Sequence, residues 1–268
     1  DSTPGRGEGI ACTGVVTPHD SMDRVSPTLE PGQPVLMHQN WHHLLFLHWE
    51  VPPAELQALV PSRLTVDTFE GKAYVGLIPF TVTGARPVLA PPIPPVSNFH
   101  EINVRTYVHL NGRDPGVWFF SLDASSSVAV AAARAAYHLA YFHAQMEFAA
   151  SSDPLPRITF RSHRDDSRGA MPAHAHIRYA PAEGLTTQAR VGTIEHFLIE
   201  RYILYAEDSE HSLHRARVHH PPYPIQRAEL QELDETLVWA AGIKRSDAIP
   251  MRHYAREVNV KVYPPQKC

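Results

Sequence analysis

Polar side chains occupy every second position in one stretch between residues 98 and 110, and their types could do chemistry together. They are a carboxylate, an amide, a guanidinium and a phenol, supplied by Glu101, Asn103, Arg105 and Tyr107. Because alternate side chains of a strand point to opposite faces, the spacing predicts a strand with one polar and one apolar face. The polar face looks either at bulk water or into a cavity where it binds or converts a ligand.

Glu101 is the first candidate for a catalytic group, acting as a general acid or base beside a substrate carbonyl. Arg105 lies on the same face, and its guanidinium is suited to hold a substrate carboxylate with two hydrogen bonds. Asn103 between them is a candidate for substrate binding. The alternative is a buried Glu101–Arg105 ion pair with a purely structural role, and the residues alone leave both open.

The bulk composition indicates a globular protein. The chain has 268 residues, of which 43% are hydrophobic and 19% charged, so it can bury a sizeable core. The net charge is -4 without a prominent basic run, which argues against nucleic-acid binding. No apolar stretch approaches the ~20 residues of a membrane helix, and no signal peptide is visible. We therefore expect a cytoplasmic protein that binds neither nucleic acid nor membrane.

The sequence also lacks several motifs that would indicate a particular reaction. We find no phosphate-binding loop, no glycine-rich dinucleotide-binding motif, no HExxH zinc-protease motif and no GxSxG serine-hydrolase motif. Close histidine pairs recur, and two histidines on one strand face can share a metal: His42/His43, His174/His176 and His219/His220. Glu101 is the one candidate for an acidic third ligand to such a metal. We therefore predict neither a metal nor a cofactor. The thiols of Cys12 and Cys268 are expected to be reduced rather than joined in a disulfide.

Twenty-five prolines favour short strands with turns and extended connections. Residues 1–34 are predicted to form an extended arm and residues 35–268 a single domain. The patterns of the remaining segments predict the following elements: strands at 37–51, 99–110, 117–124, 141–149, 157–163, 174–180, 193–207, 213–225 and 256–264, a hairpin over 64–84 turning at Glu70-Gly71, helices at 52–61 and 125–139, and a partly helical segment at 227–242. Such a chain favours a mostly antiparallel sheet closed into a barrel or folded into a sandwich.

Several ordered segments resemble one family: "WHHLLFLHWEVPPAELQALVPSRLTVDTFEGKAYVGLIPF", "SNFHEINVRTYV", "PGVWFFSLDASSSVAVAAARAAYHLAYFHAQM", "FLIERYILY", "HHPPYPIQRAE" and "HYAREVNVKVYP". They are similar to the YqjF-like family of uncharacterised bacterial proteins, within the acetoacetate decarboxylase-like superfamily. The resemblance runs from about residue 36 to 265. It implies a closed antiparallel β-barrel with a few flanking helices and a central ligand cavity, which the polar face around Glu101 would line.

The same resemblance separates this chain from the decarboxylases themselves. Those enzymes form a Schiff base on a lysine whose pKa a second lysine lowers. Their motif, Gly-Arg-Glu, three residues, then Phe-Pro-Lys-Lys, corresponds to "ARAAYHLAYF" at 133–142. Arg134 matches the arginine, whereas Tyr141 and Phe142 stand at the lysine positions. A tyrosine cannot form an imine, which argues against a simple acetoacetate decarboxylase. The superfamily's active-site glutamate matches Glu101.

Four further residues are candidates for the site. Tyr141 is assigned to catalysis, where it could donate a hydrogen bond or proton to a bound carbonyl; the alternative is a core tyrosine. Arg134, Arg201 and His220 are assigned to substrate binding. Structural ion pairs are the alternative for the two arginines, and a strand-end position is the alternative for the histidine. Lys72 follows the Glu70-Gly71 turn and is expected to be exposed rather than a relocated Schiff-base lysine.

Two functions remain open at this point. One is an enzyme that acts on a small carboxylate or carbonyl compound by acid/base chemistry without an imine, in a lyase, hydratase, cyclase or isomerase step. The other is a non-catalytic binding protein or sensor on a degenerate enzyme fold, which the missing lysines favour. In both, the partner is a small anionic or carbonyl-containing ligand, and a homo-oligomer is a base-rate expectation.

Overall fold

The computed structural model describes residues 22–94, 96–165 and 171–268. Within these ranges the chain is mostly β. The strands are β1 (Met37–Val51), β2 (Thr65–Val66), β3 (Ala73–Pro87), β4 (Phe99–Leu110), β5 (Arg113–Ala124), β6 (Tyr141–His143), β7 (Gln145–Ala150), β8 (Ile158–Arg164), β9 (Ala173–Pro181), β10 (Ile203–Glu207), β11 (Leu213–His219), β12 (Ile225–Glu235), β13 (Met251–Val262) and β14 (Gln266–Lys267). The helices are α1 (Pro53–Gln57), α2 (Ser127–Tyr137), α3 (Ile194–Ile199) and α4 (Leu237–Ala240).

The strand pairing forms a ring that carries a second sheet. The path runs β11-β10-β5-β4-β3-β1-β13, and β13 pairs again with β11 at Val262 and Val218. Along it only β10 and β5 pair in parallel. At that pair a Cβ on Gly116 would lie 2.6 Å from the Ile203 carbonyl oxygen, so the close approach requires glycine. β12 begins beside β13 and continues into an antiparallel sheet with β9, β8 and β7.

Two tight turns follow from residues that tolerate positive φ. Glu70 and Gly71 have φ of 50° and 78°, and their flanking residues exchange backbone hydrogen bonds. The predicted turn is therefore confirmed, but β2 before it pairs with β4 instead of β3, so the predicted hairpin is not. Asn111 and Gly112, with φ of 52° and 75°, make the turn from β4 to β5.

The two faces of β4 enter two different hydrophobic cores. Ile102, Val104 and Val108 belong to the core shared with the second sheet and α4. Tyr107 belongs to the other core, which surrounds the polar face. Burying one such aliphatic side chain contributes about 1.5–3 kcal/mol, so a one-residue slip of the strand would be costly. The predicted alternation of polar and apolar faces is confirmed.

The prediction of one strand over 193–207 was wrong in its first half. The segment forms α3 and only then β10, and the Thr193 side chain caps the helix by accepting from the His196 backbone N–H at 3.3 Å. A short buried apolar run fits a helix as well as a strand, which is why periodicity failed here. In the segment 227–242 the helix is confined to α4, and most of the rest is β12.

The described part of the predicted arm packs on the domain. The Arg217 guanidinium donates to the carbonyl oxygens of Pro27 and Leu29 at 2.7 and 2.9 Å. Residues 1–21, with the rest of the arm and Cys12, lie outside the described residues, so the thiol prediction stays untested. None of the helices in the described ranges is long and apolar enough to cross a membrane.

Candidate functional site

A pocket of about 440 Å³ lies between the ring strands and α2. Its volume falls in the range of small-molecule sites, roughly 300–1,000 Å³. Most of its lining is aliphatic or aromatic, with a few polar groups. Five of the seven predicted site residues line it, four of them on β4 or β6: Glu101, Asn103, Arg105, Tyr141 and Arg201.

Strand pairing brings Glu101 and Tyr141 together. β5 lies beside β4, with Ala124 opposite Glu101, and β6 lies on the other side of β5, with Tyr141 opposite Leu122. The Tyr141 hydroxyl consequently donates a hydrogen bond of 2.9 Å to Oε2 of Glu101. The two residues are 40 positions apart in the sequence. The chain passes through β5 and then α2 before β6 pairs with β5.

The Glu101 carboxyl keeps its proton at neutral pH. Burial, assisted by the nearby Asp123, raises its pKa to about 8, although hydrogen bonds from Tyr141 and Asn103 oppose the rise. Burial also raises the pKa of Tyr141 well above its ordinary value, so the phenol stays a donor. A carboxylic acid beside a phenol can protonate a substrate, and the carboxylate formed above pH 8 can take a proton back.

Arg105 is a buried cation without a carboxylate partner among the described residues. Its Nη2 donates to the Leu198 carbonyl oxygen at 3.1 Å, and its Nε meets no acceptor. Oδ1 of Asn103, two residues away on the same face, is likewise buried and unpaired. The structural alternative, a Glu101–Arg105 ion pair, is therefore not formed. A buried donor and a buried acceptor without partners, on two residues that line the pocket, are the pattern expected where a ligand completes the hydrogen bonding.

The C-terminal end of α3 orients these groups. Helix carbonyls in the last turn lack partners within the helix. The Leu198 carbonyl accepts from Arg105 and also from the Tyr107 hydroxyl at 2.7 Å. Since Tyr107 donates there, its oxygen accepts from Nε2 of His48 at 2.6 Å. Burial and the nearby Arg105 lower the pKa of His48 well below its usual value, so it is neutral. The polar strand face is thus anchored to a helix that the sequence did not reveal.

Arg201 adds a second guanidinium to the pocket wall. Its Nη1 contacts Oδ2 of Asp67 at 2.9 Å, and Arg24 donates two hydrogen bonds to the same carboxylate at 2.7 and 2.8 Å. The two guanidinium groups hold the Asp67 pKa below its usual range despite burial, so the carboxyl is ionised. Two cations against one anion leave positive charge at this side of the pocket.

The other two predicted site residues do not line the pocket. Nε of Arg134 donates to the Tyr141 carbonyl oxygen at 2.6 Å, so Arg134 holds the backbone of a pocket residue instead of touching the cavity. His220 lies behind Tyr223, which does line the pocket. Its Nδ1 donates to the Pro221 carbonyl oxygen at 2.8 Å, and burial lowers its pKa to about 4, so the ring is neutral at pH 7.

The pocket offers no lysine for an imine. All four lysines of the chain lie in the described ranges, and none lines the pocket. Lys72 donates to Glu50 at 2.8 Å, and this contact raises its pKa, the opposite of what Schiff-base chemistry needs. Its predicted exposure is confirmed. Across residues 22–94, 96–165 and 171–268, no group of three His, Cys, Asp or Glu side chains is arranged to hold a metal.

The apolar wall contributed by α2 was not recognised as part of the site. Ser126 caps this helix by accepting from the Ala129 backbone N–H at 3.3 Å, and the helix ends at Tyr137, before His138 with a φ of 55°. The predicted helix at 125–139 is confirmed. One face of it lines the pocket with small side chains: Ala129, Ala132, Ala133 and Ala136. Their i, i+3, i+4, i+7 spacing was the available signal.

The fold is similar to those of solved structures that include acetoacetate decarboxylase-like proteins. One from Sphingomonas wittichii RW1 matches with a TM-score of 0.59 at 11% identity, covering 88% of this chain and 93% of that one. The enduracididine biosynthesis enzyme MppR, in complex with pyruvate, matches at 0.58 and 11% identity, covering 90% and 92%. The acetoacetate decarboxylase of Legionella pneumophila matches at 0.57 and 12% identity, covering 97% and 98%. At such identities the likeness shows a common fold.

The chain belongs to the DUF2071 family of uncharacterized conserved proteins, whose profile matches residues 38–259. The uncharacterized protein YqjF of Bacillus subtilis (strain 168) is 37% identical over 232 residues, which are 87% of this chain and 92% of that protein. The resemblance stated from the sequence segments is thereby confirmed, together with the mostly β, decarboxylase-like fold. Neither comparison assigns a reaction.

The raised pKa of Glu101 predicts a specific pH dependence of stability. A carboxyl whose pKa rises on folding stabilises the fold fully below its unfolded pKa of about 4.3, and this contribution is lost as the pH rises through about 8. The amide of Glu101→Gln does not titrate. As the pH rises from 5 to 8.5, we expect the free energy of unfolding of the variant to increase by a few kcal/mol relative to that of wild type. Urea unfolding at each pH measures this difference. All other titratable groups are common to both proteins, so only the difference between the two proteins is interpreted. A difference that is flat across this range would contradict the assignment.

Proposed function

We propose that this protein is an enzyme that converts an organic acid or carbonyl compound by proton transfer, with Glu101 and Tyr141 as the proton-handling pair and Arg105 as the anion-binding group. The reaction class is a lyase, hydratase, cyclase or isomerase step that needs no imine. The proposal includes a closed barrel around the pocket, which the ring of seven paired strands supports.

The observation that carries the proposal is that the buried guanidinium of Arg105 has no carboxylate partner among the described residues. The side chain is 9% exposed, and no salt bridge within the described part of the chain neutralises it. Burying a cation without a counter-ion is costly, so such a group is retained where a ligand supplies the anion. A carboxylate or enolate oxygen bound to Nε would lie on the same strand face as the Glu101 carboxyl, two alternate positions away.

The neighbouring groups suit proton transfer at a carbonyl. A protonated Glu101 and the Tyr141 hydroxyl can both donate to an oxygen that gains negative charge, as a substrate enolate does. The Asn103 carbonyl oxygen, buried and unpaired, can accept from a hydroxyl or an enol of the ligand. After proton delivery the Glu101 carboxylate can remove a proton from carbon, which makes one group both acid and base.

Proton exchange at carbon tests this function and does not require the product to be identified. Keto acids and other carbonyl compounds are first screened by thermal shift, since a ligand at 100 times its Kd stabilises by about 2.7 kcal/mol. Loss of the C–H signal next to the carbonyl is then followed by NMR in D2O.

We expect wild type to catalyse exchange and Glu101→Gln to exchange at least about 100-fold more slowly, while its affinity for the ligand changes little. Glu147→Gln, at an exposed glutamate paired with Arg161, is the control. An unchanged rate in Glu101→Gln would refute the assignment.

The second candidate is a non-catalytic ligand-binding protein or sensor. The observation that favours it is the absence of lysine from the pocket lining in a fold whose named relatives include a decarboxylase. This candidate predicts saturable binding of an organic acid that depends on Arg105, with neither proton exchange nor product after long incubation. Exchange that depends on Glu101 would exclude it.

A further inference from the structure

The pocket lining combines buried polar groups with exposed apolar side chains. The groups available to an acid are buried: Glu101, Asn103, Arg105 and Arg201 expose 5%, 4%, 9% and 7% of their surfaces. Three large apolar side chains line the same pocket and yet are solvent-exposed, namely Leu36, Val96 and Val128 at 41%, 40% and 55%. The groups that could bind an acid therefore lie at depth and large apolar side chains lie at the exposed mouth, so a bound acid would have its carboxylate inside.

The space between these ends is too large for a three- or four-carbon acid. Its volume of about 440 Å³ lies in the range of sites that hold drug-sized ligands, roughly 300–1,000 Å³. The alanine face of α2, at residues 129, 132, 133 and 136, keeps this space open along the helix. Leu44, Phe46 and Ile78 on β1 and β3 also line the pocket. A small keto acid held at Arg105 would leave most of this apolar surface in contact with water.

We propose that the ligand is an amphipathic carboxylic acid whose carboxylate binds Arg105 and whose medium-length hydrocarbon tail lies along the alanine face of α2 towards the apolar mouth. This assignment rests on the proposed function, because it uses the same anion site. It adds that the substrate class is recognised by its tail as well as by its head, and that the head enters first.

A chain-length series measures the tail contribution. Straight-chain 3-keto acids and saturated acids of four, six, eight and ten carbons are titrated by calorimetry into the full-length protein. We expect affinity to rise about fourfold with each added methylene up to eight carbons, the change that about 0.8 kcal/mol per buried CH2 produces. A flat or falling affinity from four to eight carbons would overturn the proposal. If the short acids still bind in an Arg105-dependent way, the proposed function survives; if no acid of any length binds, both fail.

Two matched substitutions on α2 locate the tail. Ala132 and Ala135 are both exposed on the same helix, but only Ala132 lines the pocket. Phenylalanine at residue 132 therefore tests the space for the tail, and phenylalanine at residue 135 controls for an effect on folding. We expect Ala132→Phe to lower the ratio of eight-carbon to four-carbon affinity at least tenfold, and Ala135→Phe to leave it unchanged. Equal ratios in both variants would overturn the proposal.

A dicarboxylic acid of matched length tests the direction of binding. Arg86 also lines the pocket, and its Nη1 contacts the Gly84 carbonyl oxygen at 3.2 Å, so a cation is present near the mouth-lining Leu36 and Val96 segments. The proposed apolar tail predicts that the eight-carbon diacid binds at least tenfold more weakly than the eight-carbon monoacid, because its second carboxylate must be desolvated. Tighter binding of the diacid would overturn the apolar tail in favour of two anion sites.

Discussion

Replacing Asp67 by alanine is expected to lower the free energy of unfolding by about 3–5 kcal/mol. The carboxylate is fully buried and accepts from Arg24 and Arg201 at 2.7–2.9 Å. Its removal leaves Arg201, which is only 7% exposed, as a buried cation whose Nη2 already lacks a partner. The penalty comes from the uncompensated charge, which exceeds what the ion pair contributes on its own.

Urea unfolding at pH 7 measures this effect, and Asp153→Ala is the matched control. Asp153 pairs with Arg157 at 3.9 Å, and both side chains are mostly exposed, so its replacement is expected to change stability by less than about 0.5 kcal/mol. The Asp67 variant should also bind acids differently, because Arg201 forms part of the pocket wall. A loss below about 1 kcal/mol for Asp67→Ala would show that the cluster is solvated in solution.

Arg105→Met is expected to weaken the binding of an organic acid by about 100-fold or more without destabilising the fold. Removing one partner of a buried, hydrogen-bonded charge pair costs about 2–5 kcal/mol, and here the ligand supplies the other charge. In the free protein the loss is small, since the Leu198 carbonyl keeps its hydrogen bond from Tyr107. Replacing a buried ion pair by apolar side chains is often neutral or stabilising, and the removal of Arg105 leaves no buried carboxylate partner behind.

Calorimetric titration and urea unfolding measure the two halves of this prediction, and Arg201→Met is the comparison. Both arginines line the pocket, but Arg201 has a carboxylate partner in Asp67 and a second hydrogen bond to the Phe197 carbonyl at 2.7 Å. We expect Arg201→Met to lower stability and Arg105→Met to leave it unchanged or higher. A clearly destabilised Arg105→Met would indicate a structural role for that guanidinium.

The part of the site that lies on β4 was predictable because it depends on local periodicity. Alternation alone placed Glu101, Asn103 and Arg105 on one face, and the structure puts all three on the pocket wall. The resemblance supplied Tyr141, whose contact with Glu101 spans 40 residues and depends on a parallel β5–β6 pair. No property of the segment 133–142 by itself indicates that pairing.

The remainder depends on long-range contacts that a single sequence does not show. Asp67 meets Arg24 from 43 residues away and Arg201 from 134 residues away. The apolar run before Arg201 fits a strand as well as a helix, and the strand interpretation concealed the helix end that orients Arg105. Arg134 was assigned to the site from a family motif, yet its contact is with the Tyr141 backbone, because motif position does not determine which atoms a side chain meets.

We expect an acid to bind with its carboxylate at the buried end of the pocket, on Arg105. A crystal structure of the protein with the tightest-binding straight-chain acid tests it directly. We expect a carboxylate oxygen within about 2.7–3.2 Å of Arg105 Nε, close to Glu101, and a tail against α2 that points to Leu36 and Val128. A carboxylate at the mouth beside Arg86, or an acid bound elsewhere, would contradict the account.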